Sequence, residues 1–165
     1  LGAGGRVNRL LLDFLSFRNR GASLVVPQAG GLPNVVLQSA REIRRPVLMD
    51  LSYQFSGITA PEIYPRNLSH LYLDRPLILI GRIPKSQKQI AFQIVGQSAK
   101  GDHDLLFTIN LDEAPDGGAS LRQEWAWQAL LEKLSSSIGT PGMAAQGEMK
   151  DLIENYNLVI PEAYQ

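Results

Sequence analysis

The sequence predicts an α+β chain in three parts: a helix–strand–helix unit of α/β type, then a mostly antiparallel β-sheet or sandwich, then two C-terminal helices. Three observations predict it. Apolar residues recur at helical spacing on both sides of a short apolar run within residues 1–45, alternation in twos takes over at Val47, and helical spacing returns after Ser120. The break at Pro46 divides the chain into residues 1–45 and residues 46–165.

Residues 6–20 read as a helix, with Val7, Leu10, Leu11, Phe14 and Leu15 on one stripe and Gly21 as the left-handed residue that ends it. Leu12 and Phe17 lie off that stripe, so this helix is expected to be largely covered. Residues 22–26 suit a short strand buried on both faces, closed by Pro27. Leu32, Val35, Val36, Ala40 and Ile43 mark a second helix that stops before Pro46. One such strand with two helices leaves its edges unpaired, so this part is expected to self-associate, with docking on residues 46–165 or disorder as the alternatives.

Val47, Met49, Leu51, Tyr53 and Phe55 alternate with Leu48, Asp50, Ser52 and Gln54, which predicts a strand with the first set buried. Further strands are expected at residues 77–83, 90–96 and 105–111, with a short edge strand at 62–64. The segments 84–88 and 99–102 carry turn chemistry suited to antiparallel neighbours. Ser120 and Gln123 have the spacing of a capping box before the stripe Trp127, Leu130, Leu131, Leu134 and Ile138, which Gly139 and Pro141 end. A loop rich in Gly, Pro and Ala runs to residue 147. Met149, Leu152, Ile153 and Tyr156 then mark the last helix, with Asn157 at its end and an apolar tail at 158–161.

Composition removes several function classes. The 165 residues are 44% hydrophobic and 19% charged, a globular balance, and 16 basic side chains cancel 16 acidic ones. A neutral chain exerts no overall pull on nucleic acid or an anionic membrane. There is no cysteine for a disulfide, a thiol nucleophile or thiolate-bound metal, and no apolar run long enough to span a bilayer. The start, Leu1-Gly2-Ala3, has neither an initiator Met nor a signal-peptide pattern and is read as a cut end.

No motif assembles a catalytic, cofactor or metal site. Gly2-Ala3-Gly4 lacks the third glycine of a dinucleotide loop, because position 7 is Val7. Gly96 to Gly101 places its second glycine one position too late for a nucleophile elbow and reads as a hairpin. Asp102-His103-Asp104 reads as a solvated turn, since neighbours on a strand point to opposite faces and His70 lies in a separate loop. Pro115 and the lack of a closing Glu break a calcium-loop reading of Asn110 to Gly117, which includes Asp112, Glu113 and Asp116. Asn67-Leu68-Ser69 fits a glycosylation acceptor only by pattern. Arg41, Arg44 and Arg45 suit a helix C-terminus, where the dipole favours cations. Trp125 and Trp127 sit two apart on a helix and face about 200° from each other. They are the candidate interaction surface, with a core or interdomain place for both as the plainer reading.

Val7-Asn8-Arg9-Leu10-Leu11-Leu12-Asp13 and Ile43-Arg44-Arg45-Pro46-Val47-Leu48-Met49-Asp50-Leu51-Ser52 occur in an order shared with a known family. Ile63-Tyr64-Pro65-Arg66-Asn67-Leu68, Arg75-Pro76-Leu77-Ile78-Leu79-Ile80-Gly81-Arg82, Trp127 and Tyr156-Asn157-Leu158-Val159-Ile160-Pro161 continue it. The chain resembles, over nearly its whole length, proteins that combine a VIT domain with a von Willebrand factor A domain, the relatives of inter-alpha-trypsin inhibitor heavy chains. The resemblance implies that residues 1–45 are the last helix, strand and helix of an A domain and that 46–165 follow it. It also implies a place outside the cytoplasm or at the cell surface. The family's metal loop, D-x-S-x-S, does not occur here, so no residue of this chain inherits metal-dependent adhesion. Arg6 stands where the family has Gly, and Ile160-Pro161-Glu162-Ala163 replaces a Thr-Pro-Tyr-Thr-like ending.

The expected function is therefore non-enzymatic, without cofactor, nucleic acid or membrane insertion. The first reading is a structural or protein-interaction region that serves an adhesive A domain, with a protein or an upstream part of the same polypeptide as partner and self-association as a further expectation. The alternative is an independent β-domain that binds a peptide or glycan. A hydrolase lacks a legible nucleophile–base pair.

Overall fold

The computed structural model describes residues 1–3, 7–57, 62–115, 117–138 and 143–160. Gly4, the expected helix start at Arg6, Asp116, the Gly139–Pro141 stop and the tail from Pro161 lie outside these residues. The α+β architecture is as the sequence predicts: strand β1 (Gly2–Ala3), helix α1 (Arg9–Arg18), β2 (Val25–Val26) and α2 (Leu32–Glu42) come first. Six strands follow: β3 (Pro46–Ser56), β4 (Glu62–Tyr64), β5 (Leu71–Tyr72), β6 (Ile80–Arg82), β7 (Gln89–Ser98) and β8 (Gly101–Asn110). Helices α3 (Gly118–Ser137) and α4 (Met143–Tyr156) finish the chain.

Gly2 and Ala3 pair in parallel with Val25 and Val26, so β1, α1 and β2 form a βαβ unit. Asn8 caps α1 by accepting from the Leu11 amide at 3.0 Å. The helix ends in a Schellman motif: the Gly21 amide reaches the Ser16 carbonyl and the Arg20 amide that of Phe17. The left-handed residue is Arg20, at φ 56°, and not Gly21 as expected. Coverage of α1 also differs from expectation. Leu10 is buried and Leu12, Asp13, Phe14 and Phe17 are half-buried, whereas Leu11 and Leu15 of the expected stripe are exposed. The β2 segment is buried only at Val26, and α2 has no buried residue. The expectation of a doubly buried strand does not hold, because only one two-residue strand lies beside it.

The main sheet runs β5-β3-β7-β8, antiparallel throughout, and β4 pairs with β6 as a separate antiparallel ribbon. The expected strand at 77–83 enters a ladder only at Ile80. In β3 the predicted alternation holds for Leu51, Tyr53 and Phe55 but fails before them. Met49 pairs with Gln97 and Ser52 with Val95, so β3 carries one residue more than β7 between these pairs. This bulge centres on Asp50, at φ 50°, whose amide donates to His70 Nδ1 at 3.3 Å. The extra residue reverses the phase, so Leu48 is buried and Met49 exposed. Gly96 makes room for it: a Cβ there would stand 2.5 Å from Leu51 Cδ2.

Leu48, Leu51 and Leu68 form one core cluster, flanked by Tyr53, Leu71, Leu77, Leu79 and Ile94. The other joins Tyr64, Trp125, Ala126 and Ala129, with Ile80, Leu152, Tyr156 and Leu158 against it. Helix α3 buries Leu130 and Leu131 of the expected stripe, and with them Trp125, Ala126 and Ala129, positions that a stripe of large side chains starting at Trp127 does not pick out. Ser120 does not cap α3, which starts at Gly118 without a side-chain cap. Helix α4 begins at Met143, inside the expected loop, with Met149, Leu152, Ile153 and Tyr156 half-buried as their spacing predicts. Asn157, at φ 50°, ends it, and the Leu158 amide bonds the Ile153 carbonyl at 3.0 Å.

Candidate protein-interaction surface

Three phenylalanines define the open face of the main sheet. Phe55 pairs with Phe92 across β3 and β7, and Phe92 with Phe107 across β7 and β8. Their rings stack at centroid separations of 5.4 and 4.9 Å, with planes tilted by 26° and 19°. Tyr53 meets Phe55 edge to face at 5.5 Å. On this face an apolar groove of about 480 Å³ is walled by Leu51, Ile90, Ile94, Leu105 and Ile109 on the main sheet and by Ile63 and Ile83 opposite. Ile63 lies directly across from Gly81, where a Cβ would stand 2.5 Å from Ile63 Cγ1, so the missing side chain lets β4 and β6 close up.

The groove opens along β8, the edge of the sheet. All ten residues of β8 are exposed, and of its large apolar side chains Leu106 is the most exposed at 74%. The two-residue turn at Ala99-Lys100 closes β7 on β8 at Ser98 and Gly101. Such turns close on a hydrogen-bonded pair, and bonded and free pairs alternate along an antiparallel ladder. The backbone groups of His103, Leu105, Phe107 and Ile109 accordingly serve β7. Those of Asp102, Asp104, Leu106, Thr108 and Asn110 point to the open edge.

A second cleft, of about 550 Å³, lies where α1 meets α3 and is lined by Arg9, Asp13, Arg20, Tyr64, Arg75 and Trp127 among others. Asp13 is its best-held group. It accepts from Ser23 Oγ and from Trp127 Nε1, the latter at 3.2 Å, and pairs with Arg9 at 3.7 Å.

The two tryptophans expected at an interaction surface are both taken up within the chain. Trp125 is 6% exposed, which withdraws it from any outside partner. Its indole donates to the Glu62 carbonyl at 2.8 Å, packs on Tyr64 and Tyr156, and carries the Arg82 guanidinium 4.8 Å from its ring. Trp127 is half-buried against α1 through Asp13. Its ring also lines the cleft where α1 meets α3.

Asp102-His103-Asp104 lies on β8 and not in a turn. His103 Nε2 sits 2.8 Å from Ser98 Oγ, a pair that sequence reading missed because a hairpin brings together residues five apart. The pair stands on the exposed hairpin end and lines neither cleft. Asp104 is engaged by Gln93 Nε2, at 2.8 and 2.7 Å, and so does not orient the imidazole. Among the described residues, no group of three or more His, Asp or Glu could hold a metal ion, and no helix is long and apolar enough to cross a membrane. No protein family and no curated protein matches the chain.

Proposed function

We propose that this chain is a non-enzymatic protein-interaction region that takes up an extended polypeptide strand along β8, with alternate side chains of that strand entering the apolar groove. The observation that carries this reading is the coincidence of a ten-residue open edge with a groove lined by Leu105, Phe107 and Ile109 of that same strand. Main-chain bonds along the edge supply affinity, and pockets for every second side chain supply selectivity. The partner is a protein chain, an upstream part of the same polypeptide included, in keeping with a VIT and von Willebrand A type protein that works outside the cytoplasm or at the cell surface. The parallel βαβ unit of β1, α1 and β2 supports residues 1–45 as the end of an A-like α/β domain. The test uses a synthetic peptide copying residues 101–110 as the probe strand, followed by amide hydrogen exchange. Protection of the Asp104, Leu106, Thr108 and Asn110 amides, lost in Leu106→Lys, supports strand uptake. Fast exchange of these four amides at saturating peptide and at every protein concentration overturns it.

A further inference from the structure

We infer that the strand received by β8 is β8 of a second copy of this chain, running antiparallel, with the two-fold axis at Phe107. The inference rests on the strand-uptake reading and names its partner. Centring the pair on Phe107 places Phe107 opposite Phe107 of the second copy. The Phe55–Phe92–Phe107 stack, with its successive 5.4 and 4.9 Å steps, then continues unbroken into its own copy. The outward backbone groups fall in register for this centre. Leu106 and Thr108 offer theirs to Thr108 and Leu106 of the second copy, so the central Phe pair is of the non-hydrogen-bonded kind, in which side chains come closest.

The remaining positions agree in chemistry. Leu105 faces Ile109, which joins the two groove walls into one apolar surface. Asp104 faces Asn110, an amide and not a second carboxylate, so no like charges oppose each other between residues 104 and 110. Pairing stops there, because the chain turns into a 3₁₀ segment at Leu111–Glu113 and leaves Asp102 in solvent. A self-complementary patch of this kind closes as a two-fold dimer and removes the exposed edge.

The chain has no native thiol, so single cysteines report the register cleanly. Light scattering on the full chain is expected to give about twice 18.2 kDa. Leu106→Lys, at a position too exposed to unfold the sheet, is expected to weaken the dimer by about tenfold or more. Mild oxidation should crosslink Phe107→Cys into a covalent dimer and leave Leu105→Cys largely uncrosslinked. A monomer whose outward β8 amides are protected only by the probe peptide overturns the second copy while strand uptake stands. A monomer that the peptide does not protect overturns both. A dimer indifferent to Leu106→Lys, or one in which Leu105→Cys crosslinks as readily as Phe107→Cys, also overturns the inference.

Discussion

The indole N–H of Trp127 on α3 donates to the Asp13 carboxylate on α1 at 3.2 Å, a bond between residues 114 positions apart. It ties the N-terminal βαβ unit to the C-terminal helices, and Ser23 and Arg9 hold the same carboxylate from other sides. Trp127→Phe keeps the ring's bulk and removes the donor. The expected cost is about 1.5–3 kcal/mol, the range for a hydrogen bond to a charged group. It should appear as faster amide exchange in α1 with β7 and β8 unchanged. Undiminished protection of α1 would show that apolar packing alone holds it.

The bulge at Asp50 makes a prediction that simple alternation reverses. Leu48 is 6% exposed and Met49 is 38% exposed. Leu48→Asp is expected to unfold the chain or lower its urea midpoint sharply, since a buried unpaired carboxylate costs several kcal/mol. Leu51→Asp should do the same, whereas Met49→Asp and Ser52→Asp should be mild. Equal loss at Leu48 and Met49 would mean that β3 does not change phase.

Tyr53 couples stability to alkaline pH. Its single hydroxyl proton is donated to the Pro65 carbonyl at 3.1 Å, with the Ile63 carbonyl a second acceptor within reach at 3.3 Å. Burial raises its pKa above the ordinary 10.0, Arg66 opposes the rise, and Glu132 and Tyr64 add to it. A folded-state pKa above the unfolded one gives stability that is full below pH 10.0 and is lost as pH rises through the folded value. Tyr53→Phe should remove this alkaline slope and cost about 1 kcal/mol at neutral pH. In a phenolate absorbance titration, Glu132→Gln should shift Tyr53 down and Arg66→Gln should shift it up. Shifts of the opposite sign would refute the assignment.

The β7–β8 hairpin was legible because Ile90, Phe92 and Ile94 alternate cleanly and a turn segment separates them from Leu105, Phe107 and Ile109. Helix α4 was legible at Met149, Leu152, Ile153 and Tyr156 for the same reason in the helical period. In β3 the signal was ambiguous at its source: Val47, Leu48 and Met49 are all apolar, so parity there depends on a bulge that only the partner strand reveals. Strand β1 has two residues, too few for any period, and exists through its pairing with Val25 and Val26. The face that α3 buries includes Ala126 and Ala129, small residues that carry little weight in a pattern of large ones. The proposed interaction surface was half visible. The alternating side chains of β8 were in view, but that β8 is the sheet's edge is a matter of strand order.

The gap left by Gly81 has a consequence beyond close approach. The β4–β6 ribbon has only three residue pairs, too few for its hydrogen bonds alone to prefer one alignment strongly. Ile63 fills the space over Gly81, and a slip of one residue would set it against Ile80 or Arg82 instead. The glycine thus acts as a notch that indexes one strand on the other. Leu79, Gly81 and Ile83 wall the groove in this alignment, while Arg82 lies over Trp125. One step out of place would exchange that wall for Ile80 and Arg82, bringing a guanidinium to a mouth now wholly apolar. An absent side chain thereby sets the polarity of the groove mouth.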